Sequence, residues 1–237
     1  MVKIDKRKKY ILVLDVETAG SLGNPLVYDL GYAITDKEGN IYKTESFVIS
    51  QIFDNQQLMS TAYFKEKIPK YIKGIESGTR EKVNFANARG RLIRDMEEYG
   101  IKTIAAYNLA FDRRALANTT QYLYGEGKKF LTANFKNLEQ LCIWSFACEV
   151  LYTRPTFWRS AEKNNWFTEN GNMRTSAEIG WRYISGLNDF EEEHTGLEDT
   201  LIEVAILAKC YRQHKKHESG IIGNPWRIPN KARKERF

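Results

Sequence analysis

The chain has 237 residues, enough to bury a sizeable core, and carries a formal net charge of +6 from 36 basic and 30 acidic side chains. At 42% hydrophobic and 28% charged, with five prolines, its composition is that of a globular protein rather than a fibrous or low-complexity one. No apolar run reaches the length of a membrane span, so no membrane partner is expected, and Cys142, Cys148 and Cys210 lack metal-site spacing and read as reduced thiols.

The basic stretch "KIDKRKKY" resembles the flank of a signal peptide, but Asp15 interrupts the apolar run behind it too early for a signal core. An intracellular, cytoplasmic protein is therefore expected. Tyr10–Glu17, "LVYDLGYAITD" and "IYKTESFVIS" read as strands, with "DKEGN" a hairpin turn between the second and third. Residues 51–85 are polar and mixed and carry no clear pattern. "NARGRLIRDMEEYG" is an amphipathic helix with Leu92, Met96 and Tyr99 on one face and Gly100 as its stop. "IKTIAAYN" is a further strand, and "NLEQLCIWSFACEVL", "TSAEIGWRYISG" and "TGLEDTLIEVAILAKCYRQHKK" read as helices. Strands followed by strand–helix alternation predict an α/β protein with a mixed sheet. One domain over 1–216 is expected, with insertions near 51–85, 118–137 and 152–175, followed by a basic tail, 217–237, partly disordered. The positive excess sits largely at the two ends, which favours a polyanionic partner, nucleic acid first.

Three constellations of acids stand out. The spacing Asp-x-Glu occurs at Asp15, Asp36, Asp95 and Asp189, but only Asp15–Glu17 ends a strand of buried type. A period of two puts both carboxylates on one side of that strand, where their repulsion calls for a hard divalent cation, or else the strand end is exposed. In "AAYNLAFDRRAL", Asn108 is placed to cap a helix with Asp112 in its first turn, where the dipole favours a carboxylate; a strand-to-helix junction is also where open α/β sheets bind ligands. Phe111 beside it suits either the core or a base. In "EHTGLEDTLIEVA", Thr195 and Glu198 fit a capping box. His194 then precedes the cap and Asp199 is the fourth helical residue, two positions that meet, so the pair can order the helix entry or take up a proton near neutral pH. Cys210, His214 and His217 share a helical face but lack a fourth ligand, and read as a solvated basic helix end.

Asp-x-Glu, Asn-x-x-Phe-Asp and His-x-x-x-x-Asp in this order resemble the DEDDh (DnaQ-like) 3′–5′ exonuclease superfamily, which includes polymerase proofreading exonucleases. The match is strongest over "LDVETAG", "YNLAFDRRAL" and "HTGLEDTLIE" and spans roughly residues 10–210. The resemblance implies a ribonuclease H-like fold with a five-stranded mixed sheet flanked by helices, its first three strands antiparallel. It implies two divalent cations, Mg2+ or Mn2+, held by Asp15, Glu17, Asp112 and Asp199, with Asp15 as the bridging ligand and His194 as general base. Thr18, Asn108 and Phe111 would bind the substrate. Ala19 and Gly196 depart from the family pattern, which often has Thr and Ala there. The expected activity is hydrolysis at the 3′ end of single-stranded DNA in replication proofreading or repair, in a bacterial cell or in the host of a bacteriophage. The nucleic acid is the expected partner, with a DNA polymerase as a further one. An exoribonuclease or oligoribonuclease is the alternative within the class, and a non-catalytic nucleic-acid-binding or polymerase-docking module the alternative outside it.

Overall fold

A computed structural model describes residues 4–131, 137–213 and 222–236. Its centre is a six-stranded mixed sheet in the order β4-β3-β2-β1-β5-β6. Strands β1 (Ile11–Ser21), β2 (Asn24–Thr35) and β3 (Ile41–Ile49) form an antiparallel meander. Strands β5 (Thr103–Ala106) and β6 (Glu139–Cys142) extend it in parallel from β1, and β4 (Glu81–Val83) lies parallel to β3 at the other edge. The turn expected at "DKEGN" is present. Gly39 adopts φ +88°, and the Asp36 carboxylate accepts the N–H groups of Glu38 and Asn40.

Strand β1 is central and buried on both faces, and its residues alternate between two cores. Leu12, Leu14 and Val16 enter one, with α4 (Phe85–Glu98) and α5 (Leu109–Tyr124). Ile11 and Val13 enter the other, with α6 (Ile143–Val150), α7 (Pro155–Lys163), α8 (Ala177–Ser185) and α9 (Gly196–Gln213). The polar segment after β3 folds as two short turns of helix, α1 (Ser50–Phe53) and α2 (Gln56–Met59), a 3₁₀ turn at Lys65–Lys67, and α3 (Ile68–Glu76). The last element is α10 (Arg227–Lys234).

Three sequence expectations change. The sheet has six strands rather than five, because the three residues of β4 add an edge. "NLEQLCIWSFACEVL" is not one helix: Glu139–Cys142 pairs with β5, and only Ile143–Val150 is helical. The region from 118 is not an excursion at its start, because α5 continues to Tyr124. Thr119 and Thr120 fit that helix by donating their hydroxyls to the carbonyls of Ala115 and Leu116, both at 2.7 Å. Of the tail, the described residues 222–236 contain α10, which buries Pro229 and Asn230. His214 and His217 lie outside the described residues, and Cys210 is buried.

One close approach sets the position of α9. Gly31 on β2 pairs with Asp15, and a Cβ added there would lie 2.1 Å from the backbone carbon of Gly196. A Cβ on Gly196 would in turn lie 2.6 Å from the Gly31 nitrogen. The helix thus begins with backbone against backbone, which explains why glycine stands at 196. Gly31→Ala is expected to lower stability by at least about 2 kcal/mol, since the added methyl meets main chain that cannot rotate away. The midpoint of urea unfolding measures it; an unchanged midpoint means that α9 does not start on this strand.

Candidate active site

The site forms midway along β1, with α9 arriving on one face of the sheet and α5 on the other. Asp15 and Glu17 do not end the strand as the sequence suggests, because pairing with β2 continues to Ser21. Asp15 and Glu17 project on the α9 side, as the period of two requires. Just beyond them the β1–β2 register shifts between Glu17 and Thr18, a bulge of the kind that re-aims side chains at strand ends. Glu17 is 9% exposed and Thr18 half-buried.

From the other face, α5 begins at Asn108, which occupies the N-cap position without a side-chain capping bond and is exposed. Asp112 is 3% exposed in the first turn of α5, which packs against β1 and β2. Phe111 is half-buried with the Arg114 guanidinium over its ring at 5.6 Å.

The entry to α9 is held by a polar cluster. Asp29, fully buried on β2 opposite Glu17, accepts the Gly196 N–H at 2.8 Å and the Tyr71 hydroxyl at 2.6 Å. Arg80 lies 3.8 Å from Asp29 and donates to Glu198 at 2.8 Å, and Thr195 donates to the same Glu198 carboxylate at 2.6 Å. The expected box therefore closes through the two side chains. His194, just before it, adopts φ +51° and stacks on Phe64, with ring centroids 3.8 Å apart and planes 10° from parallel. Phe64 comes from the segment before α3, whose Thr61 hydroxyl also accepts the Gly20 N–H.

Ligand atoms of Glu17, His194 and Asp199 all lie within 4.8 Å of one another. The remaining acids are close enough to act on each other. Burial, then the charge of Glu203, then those of Asp112, Glu17 and Asp199 push Asp15 well above the usual carboxylate range. Glu17 is pushed up to about 9 by burial and Asp199. Asp112 and Asp199 are each pushed up to about 7, chiefly by burial. His194 is lowered by burial and by Lys67, which favours a neutral imidazole. All five residues named from the sequence thus meet at one site.

Three residues that the sequence did not single out join them. Glu203 is 2% exposed, one turn beyond Asp199, with an unpartnered Oε2. Its signal was a lone acid among Leu201, Ile202 and Val204. Asp29 stands likewise in an otherwise apolar strand. Phe64 left no signal, because its contact depends on how residues 51–85 fold. The buried, unpartnered Asp199 Oδ1 and Glu203 Oε2 sit among like charges, a donor set suited to hard divalent cations. Without a cation these acids oppose folding once ionised. Their raised folded-state pKa values mean that stability present in acid is lost as pH rises, through about 7 for Asp112 and Asp199 and about 9 for Glu17. In chelator, the melting temperature is expected to fall between about pH 6 and 9, and Mn2+ or Mg2+ to restore it most at the alkaline end. A metal-induced shift that is absent, or equal at both ends, contradicts this reading of the cluster.

No family model and no curated protein matches the chain. Solved structures do. Escherichia coli exonuclease I bound to a dA16 oligonucleotide superposes with a TM-score of 0.56 at 16% identity, over 88% of this chain and 42% of that one. The complex of E. coli exonuclease I with SSB-Ct gives 0.55 at 16%, over 94% and 43%. Exonuclease I from Methylocaldum szegediense gives 0.54 at 14%, over 88% and 41%. The chain thus spans less than half the length of these proteins, and it shares with them the ribonuclease H-like α/β fold.

Proposed function

We propose that this chain is a metal-dependent exonuclease that hydrolyses phosphodiester bonds at the 3′ ends of single-stranded DNA. The observation that carries the reading is the convergence of Asp15, Glu17, Asp112 and Asp199 from three separate segments, with His194 beside them. The fold shared with exonuclease I bound to oligonucleotides supports the substrate class.

Asp15, Glu17, Asp112 and Asp199 would hold two divalent cations, Mg2+ or Mn2+. Bound there, the cations supply positive charge against the phosphate and Lewis acidity toward water. His194, kept neutral by burial and Lys67, accepts the proton of the attacking water as that water adds to phosphorus. Its stack on Phe64 holds the imidazole plane, which fixes where its lone pair points. Thr18, Asn108 and Phe111 would hold the terminal nucleotide, with Phe111 offering a ring to its base. Arg114, over that ring and exposed, stands ready for a phosphate.

The test is a time course on 5′-labelled DNA and RNA single strands of matched sequence, with metal or chelator. A ladder shortening from the 3′ end of DNA, metal-dependent and abolished in Asp15→Ala, is expected. Faster shortening of RNA moves the assignment to an exoribonuclease, and no cleavage of either strand overturns it. A second prediction concerns His194→Ala, which is expected to lower kcat by about 10²–10⁴ while calorimetric Mn2+ affinity holds. If the affinity collapses with the rate, His194 is a ligand instead of a base.

A further inference from the structure

The chain's charge is not spread over its surface. Residues 154–174 and 222–236 carry nine basic and three acidic side chains, a balance of +6 that equals the net charge of the whole protein. Every other part of the chain together is neutral. In the fold these two segments, 48 residues apart at their nearest ends, become one surface.

Their contacts show the union. The Asn230 side chain accepts the N–H of Met173 at 2.9 Å, which seats α10 on the small hairpin closed by the Phe167–Met173 bridge. Arg233 pairs with Glu162 on α7 at 2.9 Å and lies over the Phe167 ring, while Arg236 lies over Trp158. Arg233 is thereby committed to holding the helix. Arg227, Lys231 and Lys234 are exposed, Arg227 over the Trp226 ring at 5.4 Å and Lys231 3.6 Å from Glu235, and they rim a cavity of about 460 Å3 lined also by half-buried Trp226 and Asn172 and by Glu235. Beyond the hairpin, Arg159, Lys163 and Arg174 are exposed as well.

The module is tied to the candidate active site. Thr175, next to Arg174, accepts the Tyr107 hydroxyl at 2.6 Å through its carbonyl and the Trp144 indole N–H at 2.9 Å through its side chain. Tyr107 immediately precedes Asn108.

We infer that the joint face of α10, the hairpin and α7 binds single-stranded nucleic acid, with phosphates on Arg227, Lys231 and Lys234 and a base on Trp226. Cations beside an aromatic shelf match that ligand, because every base has a stackable face and every linkage a charge. The inference deepens the proposed activity and rests on it for the strand's identity: the face would hold nucleotides upstream of the 3′ end. It lies outside the acid cluster, so binding here needs no metal.

The experiment is fluorescence anisotropy of a labelled oligothymidylate of about 20 nucleotides in chelator, titrated at several salt concentrations. The wild-type protein is compared with Arg227→Gln/Lys231→Gln/Lys234→Gln, all exposed changes that leave the Arg233–Glu162 pair intact. Each lost phosphate contact lowers the slope of log affinity against log salt by about 0.7, so the triple variant is expected to lose about 2 from the slope. Trp226→Leu is expected to weaken binding roughly tenfold with the slope unchanged. A triple variant that melts like wild type yet keeps the wild-type slope overturns the inference. Because the readout is binding without metal, a protein that binds in this way but never cleaves fails the proposed activity alone.

Discussion

The structure depends on a contact without side chains. Where Gly31 on β2 meets Gly196 at the start of α9, two backbones touch, and any Cβ on either residue would collide with main chain. That proximity puts the first turn of α9 directly over the strand pair that carries Asp15 and Glu17. Asp29 completes the join by accepting the Gly196 N–H, a charge-assisted bond at the positive end of the helix. His194 and Asp199 take their places as a consequence, one on each side of this fixed point.

What the contact brings together is electrostatically unfavourable. Five carboxylates, from Asp15, Glu17, Asp112, Asp199 and Glu203, share one poorly hydrated region, and neighbouring acids of the group raise the proton affinity of Asp15, Glu17 and Glu203. The compensation is organised in two ways. Beneath the site, Arg80 answers Asp29 and Glu198, and its guanidinium lies over the Tyr71 ring at 4.8 Å, so the acids that only position α9 are already paired. The acids that face the site have no salt-bridge partner among the described residues, and Asp199 and Glu203, like Asp29, each keep a buried oxygen with no hydrogen-bond partner. A cluster neutralised on its structural side and left charged on its open side is built to be completed by a cation.

The legibility of the sequence follows from the range of the forces involved. Asp15 and Glu17 were readable because two acids interrupting an apolar strand break a local rule, although the strand itself runs on to Ser21, and the α9 entry was readable because caps and helical period are local. The strands of the meander announced themselves through alternation and a turn. Glu139–Cys142 did not, because four residues pair with β5 only once the chain has returned beside it, and the helix that follows dominates the pattern. Phe64 was invisible for the same reason: its stack on His194 joins segments 130 residues apart. Gly196 was legible as a departure from the family pattern, but its cause lay in Gly31, far away in sequence.

The same separation of charge orders the surface. Without its cations the acid cluster would repel a strand of nucleic acid. A surface that attracts one lies apart from it, on a module with a balance of +6 that is anchored through Thr175 to the residue before Asn108. Under the proposed activity, capture and chemistry would rest on different physics. Capture depends on released counterions and weakens with salt. Chemistry depends on cations that offset the buried acids, and those cations bind better as the acids lose their protons. Under the proposed activity, the two requirements meet only when one strand spans both surfaces, which ties cleavage to strands long enough to do so.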